Sequence, residues 1–444
     1  MKRLALIVSA FAVTATANAQ DATEFKNGGE FRLRYENFLN KSAADASARE
    51  QHVDSRLKWN MNIRKGEKLQ AHVGLLHSAR FGGAAVPAGA TPATQESYRA
   101  DDNNSLIVNR AWGWWRASDT VSFKTGRMGI EFADGAVFSE NDWQATPYAH
   151  EGLNVAFDTS FAMFNLYGVK QAEFGADATN DNEANYYLGT MDLKNMPEAI
   201  KMANVHLLAV TSSDANAGAA APAATAQAAQ NWQQAGFTVG GDVIGIMYKA
   251  TAAFQFGDFA KGVTGGDISQ SSNMFDVMLG WGNPELMGFK VSAGYHMDSG
   301  EDASTTENKR YQTLFYDRHN YAGLMDFVEW GNLTYWNVNA SFMPREDMEV
   351  GAGYYMFSRT ETAGATAFGD GSAVAGTSAV LAGTDDGIGS EVDVFVNKSY
   401  GSDLKIGARY SMFMPGDALE ASAAAAGTSD KTASQIYLQT SLSF

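Results

Sequence analysis

A chain of 444 residues with a net charge of −17, no cysteine and a mean hydropathy of −0.24 has no disulfide framework, no thiol nucleophile and no thiolate metal site. Acidity of this size argues against nucleic acid as a partner. With 44 glycines, 8 prolines and an aromatic share of 12%, the composition suits many short aromatic-rich strands broken by polar turns.

In chain order, Lys2 and Arg3 precede an apolar run from Leu4 to Val13, and Ala17-Asn18-Ala19 follows. This is the pattern of an export leader, residues 1–19, with the mature chain from Gln20. No later stretch has the roughly 20 apolar residues of a membrane helix. One domain, residues 20–444, is expected after the leader.

The first strand reads from Phe31, Leu33 and Tyr35 on one face against Arg32, Arg34 and Glu36 on the other. Asp54, Arg56, Lys58, Asn60, Asn62 and Arg64 oppose Ser55, Leu57, Trp59, Met61 and Ile63. Trp112, Trp114 and Trp115 occupy both faces of one segment, and Val239 to Lys249 has no clear parity. Lys290, Ser292, Gly294, His296 and Asp298 oppose Phe289, Val291, Ala293, Tyr295 and Met297. Lys405, Gly407 and Arg409 oppose Leu404, Ile406, Ala408, Tyr410, Met412 and Met414. The last segment, Gln435 to Phe444, alternates to its final residue. Units of about ten alternating residues are the length of a tilted membrane strand. The fold class is therefore all-β: a single transmembrane antiparallel β-barrel of about 18 strands.

Lys65-Gly66-Glu67 and Pro344 to Asp347 read as short periplasmic turns. Long connections run over about 83–104, 131–151, 211–235, 299–320, 359–387 and 415–433. They suit the extracellular side, either folded inward as a plug or lying outside. The inward-facing charges are mixed. Arg32, Arg34, Arg56, Lys58, Arg64, Lys124, Lys290, Lys405 and Arg409 stand against Glu36, Asp54, Asp158, Asp276, Asp298, Glu391 and Asp393. The loops carry most of the remaining acid.

The terminal strand ending in Phe444 resembles the C-terminal signal of bacterial outer-membrane barrels. Five further segments resemble the alginate-export family, in family order. They are Gly126-Arg127-Met128 with Phe132 to Trp143; Ala253 to Phe259; Ala293-Gly294-Tyr295 with Ser299-Gly300-Glu301; His319 to Asp326; and Gly389 to Asp393 with Phe413 to Asp417. The resemblance implies an 18-stranded monomeric barrel with a polar channel, whose best-known members pass an anionic polysaccharide through an arginine-rich pore. The near balance of lumen charge departs from that pattern, so membership is better supported than alginate as cargo.

The candidate pore-lining and selectivity residues are Arg32, Arg34, Glu36, Asp54, Arg56, Lys58, Arg127, Glu391, Asp393, Lys405 and Arg409. Arg127 reads equally as a residue lining the constriction and as a strut paired with a lumen carboxylate. Glu391 and Asp393 are expected to pair with Arg409 or Lys405 rather than to bind a cation. His319 and Asp326 suit a turn contact. Trp112, Trp114, Trp115, Trp143, Trp330 and Trp336 suit interfacial girdles or barrel filling. None of the seven histidines lies in a nucleophile, zinc or paired-carboxylate motif, so no enzyme, cofactor or metal is expected. The functional reading is a passive outer-membrane channel for hydrophilic solutes or saccharides, anions among them. Its partners are outer-membrane lipid, the solute and, during biogenesis, the barrel assembly machinery. The alternative is a structural or adhesive surface barrel with a plugged lumen.

Overall fold

The computed structural model describes residues 23–40, 49–81, 106–174, 182–212, 229–261, 267–302, 306–366, 379–381, 384–426 and 431–444. The leader, the connection at 83–104 and most of that at 211–235 lie outside the described residues. Eighteen long strands form one closed antiparallel barrel. The first nine are β1 (Thr23–Leu39), β2 (Arg49–Lys65), β3 (Leu69–Phe81), β4 (Leu106–Arg116), β5 (Val121–Met128), β6 (His150–Asp158), β7 (Ala162–Phe174), β8 (Asn182–Leu193) and β9 (Ile200–Ser212). The other nine are β10 (Ala229–Val243), β11 (Ile246–Lys261), β12 (Ile268–Asn283), β13 (Phe289–Asp298), β14 (Leu333–Arg345), β15 (Met348–Arg359), β16 (Gly387–Tyr400), β17 (Leu404–Pro415) and β18 (Ala433–Ser443).

β18 pairs back to β1, from Glu30 opposite Ser443 to Leu39 opposite Ser434. Gly29 and Phe444 exchange backbone hydrogen bonds of 2.8 and 3.1 Å. A side chain on Gly29 would meet the Phe444 ring at 2.6 Å, so the seam needs glycine there. Closure leaves no sheet edge and satisfies the backbone, as a hydrocarbon surround requires.

The outward faces are apolar: Phe31, Leu33, Leu57, Leu166, Tyr187, Phe254, Leu279, Trp336 and Leu438 are exposed. Near the top of β5–β8 this band ends in Arg127, Glu151, Lys170 and Asn185, which face one another across three strand pairs. Such a change from apolar to polar marks the membrane border.

Two local devices explain the segments without clear parity. In β4 the register slips between Gly74 and Leu75 of the partner strand, so Asn109 has no opposite residue. This bulge moves the inward set from odd to even positions. Trp112 and Trp114 therefore face in while Trp115 faces out. The run Val239 to Lys249 contains a hairpin: Asp242 and Val243 pair with Met247 and Ile246. Its turn residues Ile244 and Gly245 have φ of 53° and 79°, the left-handed pair that matches strand twist.

The hydrophobic core lies inside the barrel. Two long connections fold inward, L3 (residues 129–149) and L7 (described over residues 299–302 and 306–332). Ile130, Phe132, Phe138, Tyr316 and Trp330 of these loops pack on inward-facing Tyr186, Leu188, Val210, Trp232, Tyr335 and Phe357. The expectation of a hydrophilic interior is thus corrected for the wall β7–β15, where aromatic and aliphatic side chains share the inner face with buried polar ones such as Gln255, Gln270 and His296. Amide side chains complete the docking: Gln255 donates to the Gln312 carbonyl at 2.7 Å, and Gln270 to the Arg310 carbonyl at 3.1 Å.

Candidate pore constriction

L3 is seated against β1 and β2. Arg32, Arg34 and Arg56 lie at alternate inward positions of these strands and are 5%, 5% and 2% exposed. Their guanidinium groups meet backbone carbonyls of L3. Arg32 donates to Asp142, Trp143 and Gln144 at 3.2, 3.0 and 3.0 Å. Arg34 donates to Trp143 at 2.9 Å. Arg56 donates to Asp142 and Gln144 at 2.7 and 2.8 Å, and to the Glu30 carboxylate at 2.6 Å. Lys58 lies 2.6 Å from the Asp142 carboxylate. A fork of fixed donors suits this task, since it holds several oxygens at once.

The Trp143 ring is held from several directions. His319 of L7 stacks on it at 3.5 Å and Tyr437 of β18 at 5.1 Å. Arg34 and Arg409 sit 3.9 and 4.8 Å from its centroid. Its Nε1 donates to Asp326 at 3.1 Å. Within L7, α1 (Arg318–Tyr321) presents His319 to Asp326 at 3.0 Å. His319 Nε2 meets Arg409 at 2.6 Å. Arginine only donates, so His319 Nε2 accepts and its proton sits on Nδ1, facing Asp326. Burial, with Arg409 and Arg34 nearby, pushes the His319 pKa down to about 4 against the pull of Asp326. These contacts tie L3, L7 and both sides of the β1/β18 seam together as one latch.

Glu36 and Asp54 sit with His52 above the arginines. His52 is 3.8 and 3.4 Å from their carboxylates. Arg80 takes both oxygens of Asp54 at 2.9 and 3.2 Å, and Arg34 lies 3.7 Å from Glu36. Ligand atoms of Glu36, His52 and Asp54 fall within 4.8 Å of one another.

Two of the expected site contacts are corrected. Arg127 lies on the outer face, paired with Glu151 at 3.2 Å. The register of β5 is continuous with both neighbours, so alternation puts Arg127, three residues on from inward-facing Lys124, on the opposite face. Glu391 and Asp393 make no ion pair with Arg409 or Lys405. Glu391 Oε1 instead accepts from the backbone of Leu324 and Met325 of L7 at 2.7 and 2.9 Å. The register puts Glu391 opposite Phe413 and Asp393 opposite Ser411, while Arg409 faces Phe395. Replacing Glu391 by Ala should strand these two backbone donors at about 1–3 kcal/mol each. Hydrogen exchange at residues 322–328 should then rise; unchanged protection would show that L7 is held elsewhere.

Among the described residues, two cavities beside the loops bear on the site. One, of about 490 Å³, lies at the end where β1 begins and β18 ends and is lined by Trp143, Lys290, Lys398, Lys405, Arg409 and Tyr437 among others. The other, of about 390 Å³, lies between L3 and β2–β5. Lys405 and Arg409 thus share a cavity, and Arg32, Arg34, Arg56 and Lys58 share the L3 seat. The residues that sequence reasoning did not assign to the site are Trp143, Asp142 and Tyr437. Of these only Trp143 carried a signal, at the end of a family-like segment.

A family model for alginate export matches residues 24–431. The chain belongs to the alginate-export family. No curated protein matches the sequence. Among solved structures, a BenF-like porin from Pseudomonas fluorescens Pf-5 is 10% identical, with a TM-score of 0.61 over 95% of this chain and 98% of that one. OccK2 (OpdF) from Pseudomonas aeruginosa, in complex with glucuronate, is 12% identical, with a TM-score of 0.60 over 95% and 98%. OccK5 (OpdH) from the same organism is 12% identical, with a TM-score of 0.58 over 95% and 98%. At this identity they establish the fold, that of an outer-membrane porin. In this alginate-export family member, three of the family-like segments lie where wall meets loop. Gly126 allows β5 to approach the Ala111 carbonyl, His319 and Asp326 build the latch, and Glu391 anchors L7.

Proposed function

We propose that this alginate-export family barrel is a monomeric, passive outer-membrane channel for small hydrophilic solutes, with a preference for anions. The observation carrying the reading is the cavity of about 490 Å³ beneath Trp143, whose lining sets Lys290, Lys398, Lys405 and Arg409 against Glu346, Asp347 and Glu349 and so keeps a cation in excess. Cations lining a narrow passage favour anion entry. The glucuronate in OccK2 makes a carboxylated sugar a reasonable solute class. L3 and L7 fill much of the lumen, which suits single small molecules better than an extended polymer. Outer-membrane lipid and the barrel assembly machinery are the partners that this reading requires.

The inward apolar core favours a second reading, a structural or adhesive barrel whose lumen stays plugged. Conductance in a planar bilayer separates the two. The channel reading expects current with an anion-selective reversal potential in a salt gradient. Lys290→Ala with Lys405→Ala should move that potential toward zero, whereas Arg127→Ala should leave it unchanged. An intact barrel that passes no current would establish the plugged reading.

A further inference from the structure

We propose that the cavity between L3 and β2–β5 is a second solute site, built for a small molecule carrying both a carboxylate and hydroxyl groups. The proposal extends the channel reading to a position away from the Trp143 cavity.

The charges in this cavity match one to one, except for a single cation. Asp142 is taken by Lys58 at 2.6 Å, with Arg56 also on it at 3.2 Å. Glu140 is taken by Arg110 at 3.0 Å. Gly129 makes room for Glu140, since a Cβ there would meet Glu140 Oε1 at 1.8 Å. Lys124 remains. Among the described residues it makes no ion pair, and its ammonium rides 4.6 Å from the centroid of the Trp112 ring. An indole face steadies an ammonium without discharging it. Trp112 is itself fixed by stacking on His72 at 5.3 Å and 6°, and the His72 ring is held by Asn62 at 2.8 Å. The cavity therefore presents one positioned, uncompensated positive charge.

A second observation points to the same ligand. Asn109 is 5% exposed, lines the cavity, and its side-chain carbonyl oxygen has no hydrogen-bond partner. The bulge in β4 brings it there, because Asn109 is the residue that the register skips. Bulges re-aim side chains next to binding sites. A buried acceptor without a donor costs about 1–3 kcal/mol, and a ligand hydroxyl would relieve that cost. Carboxylate on Lys124 and hydroxyl on Asn109 together describe a sugar acid. The volume of about 390 Å³ lies in the usual range of small-molecule sites.

The test uses the full-length barrel in detergent, titrated calorimetrically with glucuronate, glucose and acetate, with bilayer conductance in potassium chloride measured in parallel. Glucuronate should bind more tightly than either partial analogue. Lys124→Gln should weaken glucuronate at least tenfold and leave glucose unchanged, and Asn109→Ala should weaken both sugars. Lys290→Ala with Lys405→Ala should leave this binding intact while changing selectivity. A conducting wild-type barrel that binds glucuronate no better than acetate, or a Lys124→Gln variant with undiminished binding, would overturn the second site and leave the channel standing. A silent barrel with Lys124-dependent glucuronate binding would support the site and overturn the channel.

Discussion

Arg56→Ala is expected to unseat L3 and produce a larger, noisier conductance. The Arg56 guanidinium holds two L3 carbonyls, the Asp142 carboxylate and Glu30. Removing one partner from a buried charged network costs about 3–5 kcal/mol, because Glu30 and the carbonyls lose their donor together. Arg32 and Arg34 remain on the neighbouring strand, so the barrel wall should persist while residues 140–146 lose hydrogen-exchange protection. Arg56→Lys should fall between, since an ammonium keeps the charge but not the fork. Wild-type current and wild-type protection in Arg56→Ala would show that the arginine is only a wall residue.

Acidification is the second large effect. His319 accepts from Arg409 only while neutral, and its pKa in the latch is pushed down to about 4 from the ordinary histidine value of 6.5. The sign follows from linkage: the free side chain binds a proton that the latched one refuses. The contribution is complete above pH 6.5 and is lost as pH falls toward 4. Near pH 4 the loss amounts to about 3 kcal/mol, at about 1.4 kcal/mol for each pH unit. That is about a hundredfold in the ratio of latched to released loop. Arg409 of β17, Arg34 of β1, Tyr437 of β18, and Trp143 and Asp326 of the loops face this ring, so protonation places a third cation beside two. Conductance should rise between pH 6.5 and 4.5, and His319→Gln should flatten the profile. A wild-type profile already flat over that range would remove His319 from the latch.

The wall was readable because strand alternation reports the lipid boundary. Arg32, Arg34, Arg56 and Lys58 point inward just as their parity says, and Leu33 and Leu57 point out. Parity misleads where the ladder slips: the residue skipped at Asn109 and the turn at Ile244-Gly245 each reset the count. Which basic residues act together was not readable. The arginines reach loop backbone, and backbone carbonyls carry no sequence signature. Glu391 shows the same limit, since its partners are the amide groups of Leu324 and Met325. The apolar share of the inner face of β7–β15 also escaped, because a strand covered by a folded loop loses the alternation that lipid on one side and water on the other would impose.

The joint between β1 and β18 has a consequence for how the molecule is made. Each of the other strand pairs joins neighbours along the chain, and such hairpins form in microseconds. The joint alone links Arg32 with Ser441 and Phe38 with Gln435, across nearly the whole polypeptide. The ring is therefore complete only when its two most distant members meet. Until then every partly built form carries two bare rows of amide and carbonyl groups, open to pairing with any other chain. A helper that caps both rows and hands one to the other would shorten that exposed interval. A chain with bulk added at Gly29 should accumulate as an unclosed ribbon.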